Sequence, residues 1–348
     1  MNSKELSKVF SKFKVDALIS EAPQTRQWYA EIETSDGWLI IEKDSATLFV
    51  DGRYLEYATN NAKNVEVKLL KDDSLKKWLK NKKFEKIAIE EDYLSVEKIN
   101  IIKKMIKIDD SSIIPINSQK LRIIKSNEEL SKIQKAIDIS LEAFEKLQIF
   151  IKEGISEKEL KHKLEYIMVR LGAEKEAFDS IVAFAENTAE PHHHSSNKTL
   201  KKGDIVTIDF GAKFEGYCAD ITRTFIFEEN QNESINKKYK EILNIVEEAA
   251  KLGRESVKPG VKASEIDKIC RDYIASKGYS NFFVHSTGHG LGLDVHEFPY
   301  VSSKSDIVLK EGMIITIEPG IYIEKIGGAR IEDDVLVTFE GAKVLSRK

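Results

Sequence analysis

The sequence predicts an α/β protein with two domains, and three observations lead to this expectation. The chain has 348 residues, a length that commonly divides into two domains. Hydrophobic residues make up 41% of it, which is enough for a sizeable core. In the first third, short apolar runs typical of strands alternate with stretches that have helical spacing. This alternation favours an α/β layer with parallel strands.

The first domain is expected to begin with a short amphipathic helix over residues 3–13. The elements that follow are a strand at 15–20, strands at 38–43 and 46–51, a turn and helix at 51–62, a strand at 65–70, a helix at 74–81, a strand at 86–90 and a helix at 95–106. An extended segment that contains Pro115 closes the domain. We therefore place the first domain at residues 1–120 and the second at 121–348.

The second domain is expected to contain two pairs of helices. In the first pair, each helix is preceded by a serine with a glutamate three residues later, the spacing of a capping box: Ser126 and Glu129, then Ser156 and Glu159. The second pair is predicted over residues 238–253 and 263–278, with each helix ending at a glycine. Strand-like segments follow each pair, which suggests a duplicated unit.

Composition excludes several classes of function. Charged residues make up 32% of the chain, but the formal net charge is only −4, so a nucleic-acid-binding protein is not expected. No stretch of 18 apolar residues predicts a membrane span. Two cysteines, Cys218 and Cys270, are too few for a disulfide scaffold, which favours a reducing cytoplasmic location.

Five short strings in the last 140 residues carry the candidate chemistry. They are IDFGA (208–212), ADITRTF (219–225), HSTGHGLGLDVHE (285–297), TIEPG (316–320) and RIEDD (330–334). Their candidate metal ligands are Asp209, Asp220, His289, Glu318 and Glu332. Four carboxylates balance the charge of two divalent cations, and the imidazole adds a neutral ligand. Carboxylates among apolar neighbours are costly to bury unless a cation compensates them. Two cations could activate a water for attack on a carbonyl.

Each of these residues could instead have a purely structural role. The two aspartates could be a turn residue and a helix-cap residue, and the histidines of 285–296 could simply lie on the surface of a glycine-rich loop. Arg330 could form an ion pair with Asp333 or Asp334. Against these readings, six of the seven histidines fall in two clusters, 192–194 and 285–296, and acidic strings flank the second cluster.

The five strings, in their residues and in their order along the chain, resemble those of the metallopeptidases of the pita-bread fold. These are the Xaa-Pro peptidases, prolidase and aminopeptidase P, and more distantly methionine aminopeptidase. The resemblance extends over the whole chain. It implies an N-terminal creatinase-like α/β domain followed by a pita-bread catalytic domain with pseudo-twofold α+β structure. Methionine aminopeptidases usually lack the first domain.

The resemblance also implies an activity, a cofactor and partners. The activity is hydrolysis of Xaa-Pro bonds in small peptides by a hydroxide that bridges two divalent ions. Mn²⁺ is the first expectation for these ions, with Co²⁺ or Zn²⁺ as alternatives, and a homodimer is expected. The choice between a dipeptidase and an aminopeptidase stays open. A metal-free binding module and a methionine aminopeptidase-like enzyme are the alternatives.

Roles for single residues also follow from the resemblance. Asp209 corresponds to a ligand of one metal, Asp220 and Glu332 to ligands shared by both, and His289 to the only imidazole ligand. Glu318 corresponds to a ligand that is also the general base.

Residues expected on the substrate side come from the same comparison. His192 and His296 correspond to histidines that bind substrate and stabilise the tetrahedral intermediate. Arg330 is expected near the substrate, and His285 is expected to line the proline-side pocket with Phe178. Three consecutive histidines, in PHHHSS (191–196), depart from the family pattern, so His193 is the alternative to His192.

Overall fold

The computed structural model describes residues 4–228 and 233–347, and it divides into two compact units, Met1–Arg122 and Ile123–Lys348. The helices and strands of the first unit are α1 (Lys4–Phe13), β1 (Ala17–Ser20), α2 (Pro23–Ala30), β2 (Trp38–Glu42), β3 (Ala46–Val50), α3 (Leu55–Asn61), β4 (Glu66–Leu69), α4 (Ser74–Lys82), β5 (Ile87–Glu90), α5 (Val96–Ile106) and β6 (Ile113–Ile116). Ser3, which the sequence assigned to the first helix, lies outside the described residues.

A six-stranded sheet in the order β4-β3-β2-β1-β5-β6 organises the first unit. The expectation of parallel strands is confirmed for β3–β4, β1–β5 and β5–β6. It is wrong for β1–β2 and β2–β3, which are antiparallel. Only three residues join β2 to β3, and so short a connection can form a hairpin but not a crossover. The sheet is therefore mixed.

Helix α2 was not predicted from the sequence. It begins at Pro23, whose missing N–H costs nothing in the first turn of a helix. Arg26 lies in the middle of α2 with no exposed surface, and its guanidinium donates hydrogen bonds to the carbonyl oxygens of Glu21, Thr34 and Gly37. Because these backbone acceptors bind both terminal nitrogens of the buried cation, a polar helix face packs inward, which the apolar spacing of the sequence could not reveal.

The second unit contains two helix pairs and their sheets. Its elements are α6 (Asn127–Leu147), α7 (Glu157–Arg170), β7 (Lys175–Glu176), β8 (Ile181–Phe184), β9 (Ile205–Phe210), β10 (Ala212–Phe214), β11 (Tyr217–Cys218), β12 (Ile221–Ile226), α8 (Glu233–Ser256), α9 (Ala263–Ser276), β13 (Gly288–Gly290), β14 (Glu297–Val301), β15 (Ile314–Ile317), β16 (Gly320–Ile323), β17 (Gly327–Arg330), β18 (Asp333–Thr338) and β19 (Gly341–Val344). Short 3₁₀ turns occur in both units: Asp110–Ser112, Ser118–Leu121, Gln148–Phe150, Ala185–Ala189 and Ser280–Phe282.

Both predicted capping boxes are present at the starts of α6 and α7. Helix α9 ends at Ser276, just before Gly278, as expected. The predicted end of α8 at Gly253 is wrong, because this helix continues to Ser256. A Cβ at Gly253 would lie 2.7 Å from Cys270 Sγ and 2.9 Å from Ile317 Cγ2. The glycine therefore allows α8 to pack closely against its neighbours and does not end the helix.

The order of helix pair and antiparallel sheet occurs twice in the second unit. Helices α6 and α7 precede the sheet β12-β9-β8, and helices α8 and α9 precede the sheet β14-β13-β15-β18-β19. In each half, two neighbouring antiparallel strands, β9 with β12 and β15 with β18, have the candidate ligands at or next to their ends. The fold thus has the repeated organisation that the sequence suggested.

Among the described helices, none has the length and apolar character needed to cross a membrane.

Glu90 provides a pH-dependent test of the first unit. Its carboxylate is fully buried at the end of β5 and accepts hydrogen bonds from the hydroxyls of Ser20, at 2.6 Å, and Thr25. Burial raises the pKa of Glu90 from 4.5 to about 7 despite these two donors. Because the folded pKa lies above the unfolded one, the folded unit is destabilised as pH rises from 5 to 8, by roughly 3 kcal/mol at 1.36 kcal/mol per pKa unit.

We predict that Glu90→Gln removes most of this decline in unfolding free energy between pH 5 and 8. All three tryptophans, Trp28, Trp38 and Trp78, lie in the first unit, so urea unfolding followed by tryptophan fluorescence reports on that unit. Glu91→Gln, at an exposed neighbouring position, is the matched control and should keep the parent's pH dependence. Equal slopes for the parent and Glu90→Gln would contradict the prediction.

Candidate metal centre and active site

The five predicted ligands lie on or next to strands of the second unit, four of them at or next to strand ends. Asp209 is near the end of β9, and Asp220 directly precedes β12. Glu318 directly follows β15, and Glu332 directly precedes β18. His289 is the middle residue of β13, which pairs with β15. Antiparallel pairing brings the end of one strand to the start of the next, so each carboxylate pair is set side by side.

The ligand atoms of these residues come close together. Oxygens of Asp209, Asp220 and Glu332 lie within 4.8 Å of one another, as do ligand atoms of His289, Glu318 and Glu332. His289 Nε2 is 3.3 Å from Glu318 Oε1 and 3.6 Å from Asp220 Oδ2. Glu332 belongs to both groups, and Asp220 bridges from the first group to His289. The structure therefore gathers all five residues into one cluster.

Two close backbone approaches make this gathering possible. A Cβ at Gly211 would lie 1.8 Å from the carbonyl oxygen of Ala219, and a Cβ at Gly288 would lie 1.9 Å from that of Thr316. Any side chain at these glycines would push the facing strand away. The first contact holds the segments of Asp209 and Asp220 together, and the second does the same for those of His289 and Glu318.

The cluster is chemically suited to divalent cations. Asp209, Asp220, His289 and Glu332 are at most 8% exposed. One oxygen of each of three carboxylates is buried without a hydrogen-bond partner: Asp209 Oδ1, Asp220 Oδ1 and Glu332 Oε1. Such atoms are costly to bury uncompensated. Their donor set, oxygen with one nitrogen, is one that Mn²⁺, Co²⁺ or Zn²⁺ accepts.

The electrostatics of the cluster support the same conclusion. Burial, reinforced by the neighbouring carboxylates, raises the pKa of Asp220 and Glu332 well above the ordinary values. Burial also raises the pKa of Glu318 to about 8, while Arg330 opposes the rise and Asp209 adds to it. Four carboxylates this close can all be ionised at neutral pH only if positive charge is added among them.

His289 is prepared to act as a neutral ligand. Burial, with a smaller contribution from His296, lowers its pKa to about 3. Its Nδ1 lies 3.0 Å from the carbonyl oxygen of Gly290, so Nδ1 carries the proton and donates it. The lone pair of Nε2 then faces Asp220 and Glu318, where a cation would be held.

Arg330 is tied into the cluster in a way that the sequence did not predict. Its Nη2 donates to Asp209 Oδ2 at 2.6 Å, and its Nη1 donates to the hydroxyl of Tyr322 at 2.8 Å. The competing expectation of an ion pair with Asp333 or Asp334 is wrong. Asp333 instead pairs with three other arginines: Arg223, Arg254 and Arg347.

Tyr322 was missed by sequence reasoning, although it links two predicted residues. Its hydroxyl lies 2.8 Å from His285 Nε2 as well as from Arg330. His285 Nδ1 donates to the carbonyl oxygen of Ser286 at 2.7 Å. Burial lowers the pKa of His285 to about 4, and Arg330 contributes to this lowering. His285 is therefore a neutral ring held between two partners. The sequence offered only one weak signal for this tyrosine, its position in a short strand that follows Pro319.

A buried ion pair was also missed. Lys125 Nζ and Glu297 Oε2 are 2.9 Å apart, with side chains 2% and 0% exposed. Glu297 also accepts a hydrogen bond from the backbone N–H of Asp294 at 3.2 Å. It directly follows His296, so the pair holds the segment that carries this histidine. The partners are 172 residues apart, and no local pattern could have connected them.

One cavity of 440 Å³ is lined by all ten predicted site residues. They are Phe178, His192, Asp209, Asp220, His285, His289, His296, Glu318, Arg330 and Glu332. Apolar parts of the wall come from Phe178, Ile181, Pro191, Val295 and Tyr300. His192 and His296 are exposed at the cavity.

His193 differs from His192 in its surroundings. It is 8% exposed, and its two ring nitrogens lie 2.9 Å from Glu157 Oε2 and 2.8 Å from Glu190 Oε2. Since both nitrogens face carboxylates of the protein, His193 is less suited than His192 to contact a substrate.

Comparisons with known proteins agree with this site. A model of metallopeptidase family M24 matches residues 131–339, and a model of the creatinase/prolidase N-terminal domain matches residues 3–124. The chain is 44% identical over 314 residues to a Xaa-Pro dipeptidase of Pyrococcus furiosus, covering 89% of this chain and 87% of the relative. It is 40% identical over 337 residues to a putative Xaa-Pro aminopeptidase of Mycoplasma genitalium, covering 96% of this chain and 93% of the relative.

A solved structure extends the similarity to three dimensions. A Xaa-Pro dipeptidase from Bacillus anthracis superposes with a TM-score of 0.91 at 39% identity, covering 99% of this chain and 96% of that one. The two family models together span both units of the structure. The chain therefore belongs to metallopeptidase family M24, with a creatinase/prolidase-type N-terminal domain followed by a pita-bread catalytic domain.

Proposed function

We propose that this protein hydrolyses the peptide bond before proline in short peptides, as a dinuclear metallopeptidase. The observation that carries the proposal is the convergence of four buried carboxylates and one neutral imidazole on a single cavity. Its relatives, named Xaa-Pro dipeptidase and Xaa-Pro aminopeptidase, support the substrate class. Substrates with proline after the scissile bond are the expected partners.

The proposed metal ligands divide into three kinds. Asp209 would hold one cation, Asp220 and Glu332 would be shared by both, and His289 and Glu318 would complete the set around the second. When bound, two divalent cations polarise a scissile carbonyl and lower the pKa of a water molecule. The predominance of oxygen donors favours Mn²⁺, with Co²⁺ or Zn²⁺ as alternatives.

The remaining steps belong to side chains of the protein. The Glu318 carboxylate accepts the proton of the attacking water and passes it to the nitrogen of the leaving proline. His192 and His296, both exposed at the cavity, donate hydrogen bonds to the oxygen that becomes negatively charged in the transition state. Arg330 holds Asp209 in place through the hydrogen bond of 2.6 Å.

Proline suits this cavity for a physical reason. An Xaa-Pro bond is a tertiary amide without an N–H, so recognition cannot depend on that donor. A compact apolar wall is needed for the pyrrolidine ring, and Phe178 and the neutral ring of His285 lie beside the ligand cluster. The cavity volume of 440 Å³ lies within the usual range for small ligands.

The two alternatives are less consistent with the structure. A metal-free binding module would have no reason to bury carboxylate oxygens without partners. A methionine aminopeptidase-like enzyme would not be expected to carry the creatinase/prolidase-type domain that matches residues 3–124. We also propose a homodimer in the cytoplasm. The dimer rests on the family resemblance, and the cytoplasm is consistent with two buried free thiols, Cys218 and Cys270.

Removing one shared ligand should cost both metal and activity. We predict that Asp220→Asn or Glu332→Gln lowers the Mn²⁺ bound after equilibrium dialysis below two equivalents per chain. Activity should fall by at least about 100-fold. Loss of a residue that only orients a metal ligand costs up to about 100-fold, and loss of the ligand itself should cost no less. Metal analysis of dialysed protein measures the first effect. Glu324→Gln, at a carboxylate that is 88% exposed, should retain two equivalents. Full metal content in both ligand variants would refute the assignment.

His192→Ala should slow turnover without releasing metal. A lost hydrogen bond to the developing oxyanion costs roughly 100-fold in kcat. Steady-state kinetics beside metal analysis separates this role from that of a ligand, and His162→Ala, at an exposed position on α7, is the control. Loss of metal from the His192 variant would show that its role was misassigned.

Substrate length and sequence test the proposed specificity. Cleavage of Ala-Pro, Ala-Pro-Ala and Ala-Ala is compared by kcat/KM with Mn²⁺ present. We expect both proline peptides to exceed Ala-Ala because the cavity wall accepts the pyrrolidine ring. The ratio of Ala-Pro to Ala-Pro-Ala then distinguishes a dipeptidase from an aminopeptidase. If Ala-Ala were cleaved as efficiently as the proline peptides, the Xaa-Pro assignment would be wrong.

A further inference from the structure

We propose that His193 is a positioning residue: as an imidazolium held between Glu157 and Glu190, it fixes the loop that presents His192 to the cavity. The inference rests on the proposed function for its catalytic consequence, but the charged clasp itself does not. We call the three side chains Glu157, His193 and Glu190 the clasp. His193, one of the histidines by which this loop departs from the family pattern, thereby has a role of its own.

Glu157 supplies the immobile half of the clasp. It is the first residue of α7, and its side chain has no exposed surface. Its Oε1 accepts hydrogen bonds at 2.8 Å from the backbone N–H of Phe184 and from the side chain of Asn187. Its Oε2 accepts from Ser196, through the backbone N–H at 2.8 Å and the hydroxyl at 2.6 Å, and it faces His193 Nε2 at 2.9 Å. One carboxylate thus gathers both ends of the loop.

The geometry around His193 specifies its charge. An ionised carboxylate only accepts hydrogen bonds, and a neutral imidazole has a single N–H. His193 faces one carboxylate oxygen with each nitrogen, so both contacts are satisfied only when both nitrogens carry protons. The amide nitrogen of Asn187 also lies near His193 Nε2, but at 3.4 Å it is farther away than Glu157 Oε2 at 2.9 Å. Burial lowers the pKa of His193, but the hydrogen bonds to Glu190 and Glu157 outweigh burial and raise it overall. The structure therefore favours an imidazolium at this position.

His192 is held from both sides. On one side, the carbonyl oxygen of Pro191 accepts a hydrogen bond from Arg330 Nη1 at 3.2 Å, and Arg330 also binds Asp209. On the other side, the ring of His193 is bound to α7 through Glu157. His192, the residue between these two anchors, is exposed at the cavity. The clasp therefore sets the position of His192 relative to the metal cluster.

The clasp makes a kinetic prediction that a purely structural histidine would not. His193→Gln removes the charge and one of the two ring donors, and Glu157→Gln removes the opposite charge and replaces one accepting carboxylate oxygen with a donating amide group. Each should lower kcat on the proline peptide by roughly 10- to 100-fold, with KM changed by less than about threefold and two equivalents of metal retained. His162→Gln, at an exposed position on the same helix as Glu157, is the control.

A double-mutant cycle shows whether the clasp acts through His192. If it does, His193→Gln should slow the His192→Ala variant little or not at all, because the group being positioned is already absent. Additive losses in the double variant would overturn the proposal. So would a loss of metal or a rise in KM as the main effect of His193→Gln.

A spectroscopic measurement tests the clasp without relying on catalysis. Nitrogen-15 NMR of histidine-labelled protein distinguishes a doubly protonated ring from either neutral tautomer. We expect the His193 ring, assigned by its absence from the His193→Gln spectrum, to be doubly protonated at about pH 7. A neutral ring would overturn the proposal. If the parent enzyme failed to cleave any proline peptide, the proposed function would fall, while this measurement would still decide whether the clasp exists.

Discussion

The structure of the catalytic domain depends on bringing four carboxylates together in a buried place. Asp209, Asp220 and Glu332 are nearly inaccessible to water, and Glu318 is close beside them. Removing carboxylates from water and setting them next to one another costs free energy twice, through lost hydration and through repulsion. Arg330 offsets only part of this, because its charge is directed at Asp209. Divalent cations bound among the carboxylates would offset the rest while keeping them ionised, which fits a site organised around ions.

The backbone meets this requirement with a repeated device. In each half of the catalytic domain, two antiparallel strands end where a ligand is needed, so four ligands come from four strand ends. The halves are joined at the site, where the Thr222 hydroxyl donates to Glu332 Oε2 at 2.7 Å and the N–H of Glu332 donates to the Thr222 carbonyl oxygen. A ligand of one half is therefore oriented by a strand of the other, so the geometry of the centre depends on both halves.

Local chemistry was predictable from the sequence, and long-range pairing was not. The capping boxes and the ligand strings depend on residues a few positions apart, so their patterns are readable along the chain. Three features depend on residues that meet only after folding. They are the antiparallel direction of β2, the hydrogen bond of Arg330 to Asp209 and the pairing of Lys125 with Glu297. Gly253 shows the limit most clearly. A glycine near the end of a helical pattern usually marks the end of the helix. Here the helix continues, and the glycine is needed because α8 packs closely against Cys270.

The histidines show how one side chain is given opposite properties by its partners. His289 is buried and His285 half-buried, each has Nδ1 on a backbone carbonyl oxygen, and burial lowers the pKa of both rings and keeps them neutral. His193 is buried to a similar extent, but carboxylates face both of its nitrogens, and its pKa moves the other way. A neutral ring can bind a cation, whereas a charged ring cannot. The adjacent histidines of the 191–196 loop therefore differ in their surroundings: carboxylates lie at both ring nitrogens of His193, whereas His192 and His194 are exposed and line the cavity.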